Sequence, residues 1–184
     1  MKRYFNYGLN CLLILWYLGY IFNYCDIQYG MKKNKFLYIL ISALSVIAVA
    51  GLGSLFVNLG MQWFNNLNKP SQWVPNFVIP IVWSVIYLIT IVILSLWINY
   101  GKLPVKTMIL FILNGVFNVL WCLLFFTCHL TLLGNITIIL NLILSIILLL
   151  DIFSQNKFYG YLLTIYPIWL CIATSLNLAM WILN

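Results

Sequence analysis

Amides and aromatic rings are the residues of this chain whose types and spacing could do chemistry. Asn114 and Asn118 stand four apart and Trp121 follows three residues on, so the three share one helix face. Tyr166 and Trp169 are three apart on one face of a later segment, and Asn141 and Asn177 add two more amides. Trp83, Trp121 and Trp169 lie inside apolar runs, whereas Trp97 and Trp181 sit near run ends, where an interfacial aromatic belt belongs. Converging aromatic faces with a few polar groups are what a flat apolar ligand needs. The same amides could instead join helices, because an amide in lipid must find a partner. Such a bond is worth about 0.6 kcal/mol on average. On the pattern alone both readings stay open.

Acid–base and metal chemistry have little to work with. His129 is the only histidine and Asp151 is one of two acids, and each falls at the end of an apolar run. There is no Gly-rich phosphate loop, no HExxH and no nucleophile elbow. Cys11, Cys25, Cys122, Cys128 and Cys171 form neither CxxC nor a zinc pattern. Most lie in apolar runs, where a free Cys packs as a small hydrophobe. A proton relay places ionisable groups in mid-membrane, and this sequence has none there. No catalytic residue, metal or required cofactor is expected.

The elements that must position these residues are membrane helices. The chain has 184 residues, 65% hydrophobic and 6% charged, with mean hydropathy +1.08. A soluble domain covers itself with about 25% charged residues, so the bilayer must be the solvent. Apolar runs near 36–60, 77–100, 106–127, 130–150 and 158–182 each reach the roughly 20 residues of a transmembrane helix. They lack the dyad alternation of a barrel strand. The expected fold is an all-α integral membrane protein, a five-helix bundle. A long Trp/Pro-rich loop at 61–76 joins the first two helices, and the other connections are short.

Net charge +7 reads as topology rather than as a nucleic-acid surface. Five spans put Lys32, Lys33, Lys35, Lys102, Lys106 and Lys157 on one side and Lys69 on the other. The positive-inside rule then places the Met31 end in the cytoplasm and loop 61–76 outside. A sixth apolar run at 9–24 precedes Met31, whose Lys-rich continuation looks like a bacterial start. Residues 1–30 are expected to be an N-terminal extension, as an extra helix, a signal-like segment or a mis-assigned start, and 31–184 the five-helix membrane domain.

Three ordered blocks resemble one family. Trp63 to Ser71 (WFNNLNKPS), then Pro75 and Trp83 through Tyr87, are similar to a Lys-Pro-Ser loop followed by Trp-x-x-x-Tyr. Leu113 to Trp121 (LNGVFNVLW) is similar to a Leu-Asn-x-x-x-Asn-x-x-Trp third helix. Tyr166 to Trp169 (YPIW), Ala173-Thr174 and Leu176-Asn177 are similar to a fifth helix. These are signatures of the TspO/MBR family, the bacterial tryptophan-rich sensory proteins and the mitochondrial translocator protein, or peripheral-type benzodiazepine receptor. The chain departs from them in three places. Trp73 comes one residue later than usual, and a single Pro75 replaces a Pro pair. In the fifth helix Ile165 takes a Pro position and Pro167 follows the Tyr, so the expected kink moves by two residues. No base follows Lys157, so the sterol-recognition ending of eukaryotic members is missing.

The resemblance implies five helices around a pocket that opens toward the first loop, with that loop as a lid. It implies a tetrapyrrole such as protoporphyrin IX as ligand, related flat lipophiles, and a homodimer. Residue by residue it carries over Trp83, Asn118 and Trp169 as pocket positions, with Tyr87, Asn114, Trp121 and Tyr166 as neighbours. Trp63, Lys69, Pro70, Trp73 and Pro75 fall to the lid. Three function classes follow: a binding sensor or receptor, a transporter of porphyrins or other lipophiles, and a light- and oxygen-dependent porphyrin-degrading enzyme.

Overall fold

A computed structural model describes residues 35–71, 74–99 and 103–184. The expected extension at 1–30, and Trp73, lie outside the described residues. Helix α1 is Lys35–Asn65, α2 is Val78–Asn99 and α3 is Val105–Cys122, which runs on as a π-helical turn, Leu123–Thr127. Then come α4 (Thr131–Gln155), α5 (Lys157–Leu163) and α6 (Ile165–Leu183). The π turn prolongs α3, and α5 with α6 forms one bent segment, so five stretches are long and apolar enough to cross a membrane. The described residues contain no strand. The chain is an all-α integral membrane protein, as expected.

Its surface is inside out relative to a soluble protein. Phe36, Leu150 and Ile182 point outward and are more than half exposed, while Ser42, Thr107, Asn114, Asn118, Asn141 and Ser145 are buried. Lipid solvates the first set, and the second must find partners within the bundle. Helix α1 packs on α2, α3 and the π turn, and α4 on α3 and α6. Helices α2 and α3 barely touch. The gap between them is where a cavity forms.

Three local features set the shape of that gap. First, α1 runs five residues beyond its expected end at 60, so Trp63 lies in its last turn and not in a loop. Gly60 allows this: a Cβ there would collide with the carbonyl oxygen of Phe126 in the π turn. Second, the π turn carries Phe125 and Phe126 into the core, and the Thr127 hydroxyl donates to the Phe56 carbonyl at 2.8 Å. π turns of this kind appear often at functional sites. Third, the last segment breaks at Thr164. Pro167 then falls in the first turn of the helix that restarts at Ile165, where a residue without an N–H is tolerated. The interruption of the last span thus lies at Thr164, three residues before Pro167.

Trp97 departs from its expected place in the interfacial belt. It is buried, with its ring edge-on to Tyr159 at 5.2 Å. Helix α2 turns it inward to fill the space beside α5, which Gly160 lets approach the neighbouring Phe153 ring. At that end of the bundle, Asp151 pairs with Lys106 at 2.7 Å and accepts from Thr107 (2.7 Å) and Gln155 (2.9 Å). This cluster ties the start of α3 to the end of α4.

Candidate functional site

A cavity of about 630 Å³ fills the space between α2 and α3. Its size falls in the ordinary range for small-molecule sites, about 300–1,000 Å³. Trp83, Ile86, Tyr87, Thr90, Leu94 and Ile98 form one wall down α2. Asn114, Gly115, Asn118 and Val119 form another on α3; Tyr166 of α6 and Val46 and Val49 of α1 complete it. The α2 positions recur at three- and four-residue steps, so one face of the helix lines the cavity from end to end. None of the described lining residues is charged.

Trp83 is the centre of the aromatic wall. Its ring is roughly parallel to Tyr87 at 5.7 Å and to Trp121 at 6.3 Å, and Tyr166 meets it edge-on at 6.3 Å. These separations suit attractive aromatic packing. The result is a broad, rigid π surface facing a mostly apolar space.

The amides are arranged behind and beside it. The Asn114 Nδ2 group donates to the Leu110 carbonyl one turn back at 2.9 Å, which anchors the amide. Its Oδ1 is buried with no partner among the described residues. Asn118 is buried one turn further along the same face. The Tyr166 hydroxyl donates to Asn141 Oδ1 at 3.4 Å. Asn177 donates to Asn135 at 3.3 Å, away from the cavity. Both readings of the amides are therefore realised: Asn135 and Asn177 join α4 to α6, while Asn114 and Asn118 line the cavity.

Of the seven expected pocket residues, the structure puts Trp83, Tyr87, Asn114, Asn118 and Tyr166 on the cavity wall. Trp121 lies behind Trp83 and braces it. Trp169 is buried off the lining, its indole N–H unpartnered among the described residues. The expected lid disperses. Trp63 stacks on His129 at 4.3 Å with planes 18° apart, and its edge meets Phe125 at 5.8 Å. Lys69 sits over the Phe64 ring at 5.2 Å, Pro70 is buried and Pro75 is exposed. None of these four lines the cavity. The wall instead includes Leu52, Ile112 and Val116, which are also on the outer surface.

Two relationships had no signal in the residue spacing. His129 takes a left-handed backbone, φ 59°, and so presents its ring to Trp63. Asn184, at the far end of the chain, grips the backbone of Asn68 from both sides: its Oδ1 accepts at 2.9 Å and its Nδ2 donates at 3.1 Å.

The sequence model of the TspO/MBR family matches residues 41–182, which include every described wall residue of this cavity. A tryptophan-rich protein TspO from Archaeoglobus fulgidus is 32% identical over 145 residues, covering 78% of this chain and 94% of that protein. Protein CrtK of Rhodobacter capsulatus is 30% identical over 126 residues, covering 66% and 78% respectively. A tryptophan-rich protein TspO from Bacillus cereus is 27% identical over 134 residues, covering 72% and 88%. Family match, relatives and five-span fold agree, and the chain belongs to the TspO/MBR family.

Proposed function

We propose that this protein is a membrane receptor or sensor that binds tetrapyrroles, such as protoporphyrin IX, and similar flat lipophiles in the α2–α3 cavity. The observation that carries this reading is the Trp83 surface, flanked by Tyr87 and Tyr166, on the wall of an apolar space of about 630 Å³. A planar ring stacked there gains about 0.5–1.5 kcal/mol per aromatic pair beyond the burial of its area. Asn114 and Asn118 offer amides to an edge group, each hydrogen bond contributing about 1 kcal/mol. Carboxylates on such a ligand find no cation on the described wall; Lys106, two residues from the lining Met108, is a cation beside it, and it pairs with Asp151.

The reading includes an orientation and an assembly. Lys106 and Lys157 stand at one end of the bundle and Lys69 at the other, which supports a cytoplasmic location for the first end. A homodimer within the bacterial cell membrane completes it. Cysteine accessibility at positions 69 and 157 tests the orientation, and crosslinking in native membranes tests the dimer.

The main test is titration of the purified protein with protoporphyrin IX, read by tryptophan quenching. Saturable binding that Trp83→Leu abolishes is expected. Binding untouched by that change would sink the site. Transport and photochemical breakdown are the competing classes. Flux into proteoliposomes without loss of the Soret band would favour the first, and light-dependent loss of that band the second.

A further inference from the structure

The cavity wall and the outer surface share residues on one side only. Leu52 of α1 and Met108, Ile112 and Val116 of α3 line the cavity and are each more than two-fifths exposed. These four are apolar; Ser45 of α1 is also on the wall and exposed, and its hydroxyl donates to the Ser42 carbonyl of its own helix at 2.9 Å, and all five lie on spanning helices. The cavity thus reaches the surface through the seam between α1 and α3, at a depth where the surroundings are hydrocarbon. The seam is narrow at one point: a Cβ built on Gly115 would stand 3.1 Å from a Val49 methyl. Glycine there keeps the two helices close without sealing them.

We propose that the cavity loads from within the bilayer, through the α1–α3 seam, with Val49 and Gly115 as its gate. The occupant is a neutral, flat lipophile already dissolved in the hydrocarbon core. A ligand on this route never crosses the loop, and the described loop residues take no part in its entry. Such a ligand also needs no cation on the described wall, in keeping with the lining. The proposal rests on the cavity being a binding site, but not on the ligand being a porphyrin.

The test uses the full chain in phosphatidylcholine vesicles and 1-aminoanthracene as a neutral aromatic probe. Association is followed in a stopped-flow mixer by energy transfer from tryptophan, with protein-free vesicles as the partition reference. Val49→Ala should raise the association rate, and Gly115→Val should lower it, each by roughly tenfold, the factor that one step in barrier height of about 1.4 kcal/mol produces. Asn184→Ala, which releases Asn68 of the loop, should leave the rate unchanged. If Gly115→Val fails to fold, Val49→Phe narrows the same gap from the other side. A rate that responds to Asn184→Ala but to neither seam variant overturns the proposal, as does the absence of any saturable energy transfer. Probe binding without porphyrin binding supports the seam and sinks only the porphyrin reading.

Discussion

The rings of Trp83 and Trp121 lie 6.3 Å apart with their planes 28° from parallel, and only Trp83 faces the cavity. Trp121 is itself braced edge-on by Phe126 of the π turn at 5.8 Å. The second ring therefore fixes the angle of the first. Trp121→Leu should weaken porphyrin binding by up to about tenfold, the equivalent of one lost aromatic pair. Trp83→Leu should cost more, because it removes the contact surface itself. Trp169→Phe should cost little, since that ring is off the lining. Quenching titrations of the three variants check the order. A loss for Trp169→Phe equal to that for Trp121→Leu would place the ligand elsewhere.

Five spans and the 3.6-residue placement of Trp83, Tyr87, Asn114 and Asn118 were legible because lipid enforces a simple rule. Long apolar runs become helices, and the polar side chains on them turn inward. Trp97 and Trp169 lie off their expected places, the belt and the cavity wall, for a related reason. Periodicity says which residues share a face, but which neighbour fills that face depends on Gly160 and on the break at Thr164. Trp63 lies in α1 and not in a lid because Gly60, which alone would suggest an end, is held in the helix by its close contact with the Phe126 backbone. The α1 helix continues until Asn65, where Asn66, Asn68 and Pro70 make continuation unfavourable. The pairings Trp63–His129 and Asn68–Asn184 join residues far apart in the sequence, and spacing carries no record of them.

Gly60 and Gly53 separate two uses of glycine in α1. A side chain at Gly60 would strike the Phe126 backbone, which cannot rotate away. At Gly53 the nearest atom to an added Cβ is Cys122 Sγ at 3.5 Å, an ordinary contact. Gly60→Ala should therefore lower stability by about 1–3 kcal/mol through overpacking. Gly53→Ala should be neutral or mildly stabilising, because alanine is the better helix former by about 1 kcal/mol. Thermal melts of the two variants in the same detergent test the contrast. Equal melting temperatures would mean that α1 and the π turn are not in close contact.

Asn184 holds Asn68 by two hydrogen bonds at an exposed end of the bundle. Water competes for such groups, so the pair contributes at most about 1 kcal/mol per bond. Global stability should barely change in Asn184→Ala. Local order should change: amide hydrogen exchange at residues 66–71 should quicken, while exchange in α3 and α4 stays as it was. Uniform exchange in both proteins would mean that the loop is held by its packing at Leu67 and Pro70 instead.

Asp151 and Lys106 are unequal partners. The Lys106 side chain is 71% exposed and that of Asp151 only 8%. An exposed ammonium loses little when its partner is removed, and the measured worth of such pairs is at most about 1 kcal/mol. Asp151 also accepts from Thr107, which is fully buried, and from Gln155. Removing the acceptor leaves the buried hydroxyl's proton without an acceptor, at about 1–3 kcal/mol, although its oxygen still accepts from Gln155 at 2.9 Å. Lys106→Ala should thus shift the melting temperature slightly and Asp151→Ala several times more. Asp151→Asn should recover part of the loss, since its amide oxygen can still accept from Thr107. If Lys106→Ala and Asp151→Ala melt alike, the charge pair, and not the buried acceptor, joins the start of α3 to the end of α4.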